Sequence, residues 1–195
     1  MKLIAALLLL IAFTTSENSY SQALLSLGPE KSDSHIFGSY IRKFNSQVHL
    51  KQNDSAIVTG KQIIRIRPNN AYYTYQIGEL YEKTGDSITA IGYYKHALSI
   101  FNSALDTMDT HSWRYNFAKF EKAVVLMLLG QKDAGDSVIN ELLSVETMDS
   151  NKQYLLLIKS LSRKEFIYGS SKTDGLRYVA PSILLYHSAP ASEDK

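Results

Sequence analysis

An all-α chain folded as successive antiparallel helical hairpins is what this sequence predicts, and three observations predict it. From Ser34 onward apolar residues recur every three or four positions with almost no sustained alternation, which is helical rather than strand periodicity. Pro68-Asn69-Asn70, Thr84-Gly85-Asp86 and Gly130-Gln131-Lys132-Asp133 each lie between a pair of helix-length segments. A pattern of small and bulky residues also recurs along the chain at a fixed interval.

Taken in order, the helices are expected at 34–50, 54–67, 70–83, 87–107, 112–129, 133–146 and 150–168. Asp86 and Asp133 stand where they can cap the helices that follow, and Asn53-Asp54-Ser55, a glycosylation sequon by pattern, reads better as the cap of 54–67. Pairs of such helices joined by short turns fold back on each other, and an ordinary helical bundle is the alternative arrangement.

The interval decides between the two. Between Ala71 and Ala104 the chain reads Thr74, Ile77-Gly78, Tyr81, Gly85-Asp86, Ala90, Tyr94 and Ala97. Small Gly78 and Ala90 suit a close approach of two helices, and bulky Tyr81 and Tyr94 fill the space beside it. This run resembles the tetratricopeptide repeat, 34 residues long, with Thr74 where that family often has Trp and Asn102 where it often has Pro. The resemblance implies a helical-hairpin solenoid of about three repeats with a C-terminal capping helix. A weaker preceding repeat spans about 37–70, with Ala56, Gly60 and Ile63 in register, Phe44 in the place of Gly78, and Lys51-Gln52 in the place of Gly85-Asp86. A third spans about 116–149, where Ala123, Leu126, Gly130, Ile139 and Leu142 mirror Gly78, Tyr81, Gly85, Tyr94 and Ala97.

Gly130 follows Gly85 by 45 residues, so eleven residues are inserted. Eleven is close to three helical turns, and lengthening 87–107 and its successor would keep the apolar faces in phase. Gly135, standing in the place of Ala90, is expected to weaken its helix. Residues 150–168, with Leu155, Leu156, Ile158, Leu161 and Phe166, resemble the helix that solvates the end of such an array.

The ends have a different character. Met1-Lys2 leads into an unbroken apolar run, Leu3 to Phe13, followed by small and polar residues. That run is shorter than the roughly 20 residues a membrane span needs but fits a signal peptide core of about 7–15. Cleavage fits after Ser16 or, as favoured here, after Ser21, making 1–21 the signal and Gln22 the first mature residue. The stretch Ser19-Tyr20-Ser21-Gln22 resembles signal ends of Gram-negative bacteria of the Bacteroidetes type. No lipobox cysteine accompanies it. A periplasmic or secreted bacterial protein is expected, with no membrane span once the signal is removed. Residues 22–168 then form the helical domain, and 169–195 a Gly/Ser/Thr-rich linker with an apolar tail, Leu176 to Tyr186. That tail is expected to dock against the array, because left in water it would expose an apolar patch.

Composition narrows the chemistry. Lys and Arg number 21 against 19 Asp and Glu in 195 residues, a formal charge of +2, which provides no field for nucleic acid. Without cysteine there is no disulfide, thiolate metal site or thiol nucleophile. His35, His49, His96, His111 and His187 show no ligand spacing, so neither a metal nor another cofactor is expected. Gly85-Asp86-Ser87 and Gly135-Asp136-Ser137 resemble a serine hydrolase nucleophile block, but no Asp-x-x-His follows, and turn plus cap explains the first triplet better.

What remains is a binding surface, and no enzyme. In tetratricopeptide arrays the first helix of each hairpin lines a concave groove, and the resemblance carries Tyr72, Tyr75, Gln76, Glu79, Glu82 and Lys83 onto it, with Phe120 and Glu121 one repeat on. Phe117, Val124 and Leu128 suit core packing better. Aromatic rings with polar neighbours bury large areas at low entropic cost and suit capture of a protein or peptide partner. A protein–protein interaction module is the expectation. A stand-alone relative of the repeat-bearing sensor domains of envelope regulators is the alternative, and a serine hydrolase using Ser87 or Ser137 a more distant one.

Overall fold

The computed structural model describes residues 34–168, and among them every regular element is a helix. The described residues form eight: α1 (Ser34–His49), α2 (Asn53–Ile66), α3 (Ala71–Lys83), α4 (Ser87–Leu105), α5 (Trp113–Leu128), α6 (Lys132–Val145), α7 (Asp149–Ser160) and α8 (Arg163–Tyr168). Each of the first seven packs on its neighbour in sequence, as a helical-hairpin solenoid requires, and α8 turns back onto α3 and α5. The signal segment, its cleavage site, the linker and the apolar tail lie outside the described residues.

Three hairpins close with one backbone motif. Lys51, Gly85 and Gly130 take φ of +56°, +92° and +77°, the left-handed conformation that ends a helix. Around each, the same two bonds recur. Gln52, Asp86 and Gln131 donate backbone N–H groups to the carbonyls of Gln47, Tyr81 and Leu126 at 2.9 Å. Lys51, Gly85 and Gly130 donate to those of Val48, Glu82 and Met127 at 3.0 Å. The repeat inferred from side chains is thus present in the backbone, at spacings of 34 and 45 residues.

That motif also fixes which residue can cap the next helix, and it corrects two expectations. The cap position immediately follows the left-handed residue, so it falls on Gln52, Asp86 and Gln131. Only Asp86 has a side chain short enough, and its carboxylate accepts the Thr89 N–H at 3.0 Å. Asn53 and Asp133 lie inside their helices and make no cap. Asn70 and Ser112 cap α3 and α5 instead, accepting from the N–H groups of Tyr73 and Tyr115.

Within each hairpin the two helices approach closely because large and small residues trade places across the contact. In the first, a β-carbon at Gly60 would lie 2.9 Å from the Phe44 ring; in the second, one at Gly78 would lie 2.7 Å from the Tyr94 ring. Phe44 and Gly78 hold one position of the repeat, and Gly60 and Tyr94 the opposite one, so the bulk has changed sides while its sum is kept. Ala123 and Ile139 stand at these positions in the third hairpin, both fully buried. A second exchange overturns the expectation for Gly135. A β-carbon there would lie 3.0 Å from the Ala123 carbonyl oxygen, as one at Gly78 would lie 3.1 Å from that of Ala90. Glycine on one helix faces alanine on the other in both hairpins, so Gly135 is the contact point rather than a weak spot.

The insertion is shared among three elements. Compared with α2, the connection after it and α3, α4 has five more residues, its connection three more, and α5 three more. Only some of it therefore lengthens helices; the rest forms the turn at Asp106–Ser112, where the Asp109 carboxylate accepts the His111 N–H. The expected last helix is broken as well. Leu161 is extended and buried, and Ser162 with Glu165 forms a reciprocal capping box, each accepting the other's backbone N–H. The pattern Ser-x-x-Glu was legible there.

Two apolar clusters result. Phe37, Ile41, Phe44, Ile63, Tyr73, Ile77 and Leu80 unite α1, α2 and α3. Ala71 and Tyr75 join α3 to the second cluster, with Tyr94, Phe120, Leu128, Ile139, Leu155 and Phe166. Helix α3 is therefore buried on two faces.

Gly78→Leu should force the Tyr94 ring from its place and cost about 1–3 kcal/mol, read as a lower midpoint in chemical denaturation. Lys51→Gly should stabilise by about 0.5–1 kcal/mol, since relief of a left-handed lysine outweighs the added freedom of the unfolded chain. A midpoint that falls on this substitution would contradict the shared turn geometry.

Candidate partner groove

Helices α3 and α5 lie on either side of the face expected to bind a partner, and the structure divides the eight residues assigned to it into two sets. Tyr72, Gln76, Glu79 and Lys83 are half-buried. Spaced four, three and four apart, they form one stripe along α3. Tyr75, Glu82, Phe120 and Glu121 are buried, at 6, 5, 3 and 2% exposure, and cannot meet a partner without rearrangement. These four form the inner part of the expected set, its floor, and the half-buried four its outer part.

The floor is held by paired polar groups in an apolar setting. The Tyr75 hydroxyl donates to Glu121 Oε2 at 2.5 Å, tying α3 to α5. Burial, reinforced by the Glu121 charge, pushes the Tyr75 phenol well above its usual range. Tyr72 sits edge-on to both Tyr73 and Tyr75, with ring centroids 5.1 and 5.4 Å away. Phe120 packs against Tyr154 of α7 with centroids 5.7 Å apart. Val124 and Leu128 are buried, as their composition suggested, and Phe117 is half-buried.

Glu82 organises the far end. Its Oε1 accepts from the Ser87 hydroxyl at 3.0 Å and its Oε2 from Arg163 Nη2 at 2.6 Å. Arg163 Nε also donates to the Leu128 carbonyl, at the C-terminus of α5, at 2.6 Å. One guanidinium thus meets the last turns of α3 and α5 together, where open carbonyls favour a cation. Tyr94 lies beside this group, and burial, with Glu79 and Glu82 nearby, pushes its phenol upward. Nothing in the periodicity of the sequence pointed to Arg163.

The two Gly-Asp-Ser triplets have structural roles. The Ser87 hydroxyl donates a hydrogen bond to Glu82 and Asp86 caps α4, where the Thr89 hydroxyl and N–H hold the Asp86 carboxyl below its usual range. Asp136 lies within α6 and pairs with Lys132 at 2.8 Å. Among the described residues no cluster of three or more His, Cys, Asp or Glu could hold a metal, and no helix is long and apolar enough to cross a membrane.

The raised phenols make stability depend on alkaline pH. Unfolded tyrosines lose their protons near pH 10, whereas Tyr75 and Tyr94 keep theirs while folded, so the folded state binds more protons above that pH. From pH 7 to about 10 the two phenols leave stability flat, and it should fall as pH rises beyond that. Tyr75→Phe should cost about 1–3 kcal/mol at neutral pH, by taking a donor from buried Glu121, and should make the alkaline decline shallower. Denaturation series at pH 7 to 11 on both proteins measure this.

Over 133 residues, 64% of this chain, the sequence is 29% identical to Anaphase-promoting complex subunit 3 of Schizosaccharomyces pombe. The chain spans only 18% of that protein's length. No family model and no solved structure matches. Together with the paired helices, the likeness supports a tetratricopeptide-like family.

Proposed function

We propose that this is an exported bacterial interaction module, without catalytic activity, that binds a protein or peptide along the face between α3 and α5 in the periplasm or outside the cell. The observation that carries the reading is the stripe of Tyr72, Gln76, Glu79 and Lys83 above a floor fixed by Tyr75 and Glu121. An aromatic ring, an amide and charges of both signs offer a peptide stacking, main-chain hydrogen bonds and charge pairing along about three helical turns. Because the floor is buried and bonded, the stripe is presented by a rigid support, and little order has to be gained on binding.

Distant likeness to a subunit of a complex supports a role in assembly with other proteins. Export rests on the apolar run Leu3 to Phe13 and the small residues after it.

A photo-crosslinking residue placed at Gln76 tests the site. In envelope preparations of the exporting bacterium it should give a discrete adduct, and Glu79→Lys should reduce the yield about tenfold. The same residue at exposed His96, on α4, should give none. An adduct from His96 and none from Gln76 would assign binding to another face.

A further inference from the structure

The six residues of α8 meet both helices that flank the proposed binding face. They pack on α3 and α5 rather than continuing the solenoid beyond α7. Arg163, Phe166 and Ile167, spaced i, i+3, i+4, share one helical face, and it is this face that turns inward. Phe166 and Ile167 are 4% and 1% exposed, and Arg163 reaches Glu82 and the Leu128 carbonyl. Lys164, on the other side, is exposed, and Tyr168, though exposed, reaches back with its hydroxyl to the Glu82 carbonyl at 3.5 Å. This is how an amphipathic helix lies in a groove, with a few anchors on one face.

We infer that α8 is an intramolecular latch, and that the bed beneath it takes a partner's short helix carrying an arginine followed three and four residues later by an aromatic and an aliphatic side chain. The inference rests on the groove reading above and deepens it by naming the partner's chemistry.

Two features of the bed set that chemistry. Glu82 is buried, and a buried carboxylate stripped of its cation is costly, so whatever replaces α8 must bring a positive group to the same place. The last carbonyl of α5 accepts from Arg163 at the same time. A planar guanidinium can serve a carboxylate and a carbonyl together, whereas an ammonium is a compact point charge. The apolar side of the bed requires two side chains on the turn that follows.

Two features make α8 the element that leaves. Six residues are too few for a helix to hold its shape alone. The two residues that join it to α7, Leu161 and Ser162, are non-helical, so α7 can stay on α6 while α8 swings away. The Lys132 ammonium, which donates to the Lys159 carbonyl at 2.7 Å, holds α7 in place independently of α8.

Hydrogen exchange on the full parent chain tests the latch. Amides of 163–168 should exchange at least tenfold faster than the core amides of α3 and α5; equal rates would make α8 an integral element of the fold and overturn the inference. A labelled peptide of residues 161–168 tests the bed. It should bind the full chain carrying Arg163→Ala and Phe166→Ala at least tenfold tighter than the parent. A peptide with alanine in place of its arginine should lose at least tenfold. Equal affinity for parent and variant, or no binding to a variant that still melts cooperatively, would overturn the inference, and if the variant does not fold the exchange rates decide. The groove reading fails separately: if the Gln76 adduct forms in equal yield with parent and variant, the groove stands and the latch falls, whereas adducts confined to His96 remove both.

Discussion

The closeness with which the two helices of each hairpin approach is the constraint on which the rest of this structure depends. At Gly60, Gly78 and Gly135 there is no room for a β-carbon without moving a ring, a side chain or a backbone carbonyl. Interiors this dense respond to volume, and the repeats keep volume rather than identity. Phe44 over Gly60 and Tyr94 over Gly78 are the same contact with its halves exchanged. That exchange explains how a first repeat lacking the expected small residue still folds as its successor does. It also accounts for a glycine inside α6, where propensity alone would disfavour one.

Close approach needs a turn that returns the chain at a fixed angle, and the left-handed residue at each hairpin supplies it. Because the motif fixes where the next helix starts, it also fixes the phase of every apolar face downstream. The eleven inserted residues are tolerated since they fall at the end of α4, in the connection after it and at the start of α5, away from the three turns, whose bonds are identical. Some of the insertion became a capped connection, which costs no buried backbone polar group.

With hairpins fixed, α3 comes to be buried between two apolar clusters, and its polar residues have few places to go. Tyr75 and Glu82 turn toward α5 and α8, where one meets a carboxylate and the other a guanidinium. The buried Tyr75–Glu121 pair and the buried carboxylate of Glu82 are costly to leave without partners, so they tie the third hairpin and α8 to the second more specifically than apolar contact would. They also leave Tyr72, Gln76, Glu79 and Lys83 as the side of α3 that solvent can reach. The groove's chemistry is in this sense the remainder after packing has claimed the other faces.

How much of this was readable in advance follows from the range of the interactions. Helix periodicity, the turns at Gly85 and Gly130 and the 34-residue interval are set by neighbours along the chain, so the sequence by itself determined that the protein is a series of helical hairpins and where each begins within a residue or two. The capping box that starts α8 was equally local. Tertiary structure alone decided the exposure of Tyr75 and Glu121, which depends on two helices meeting across 46 residues, and the role of Arg163, which reaches Glu82 across 81. It decided too that Gly135 is a contact and not a flaw, because a glycine's place is defined by what lies opposite. Composition names which groups can be buried; only the meeting of distant elements selects those that are, since desolvation acts on position in space and not on position in the chain.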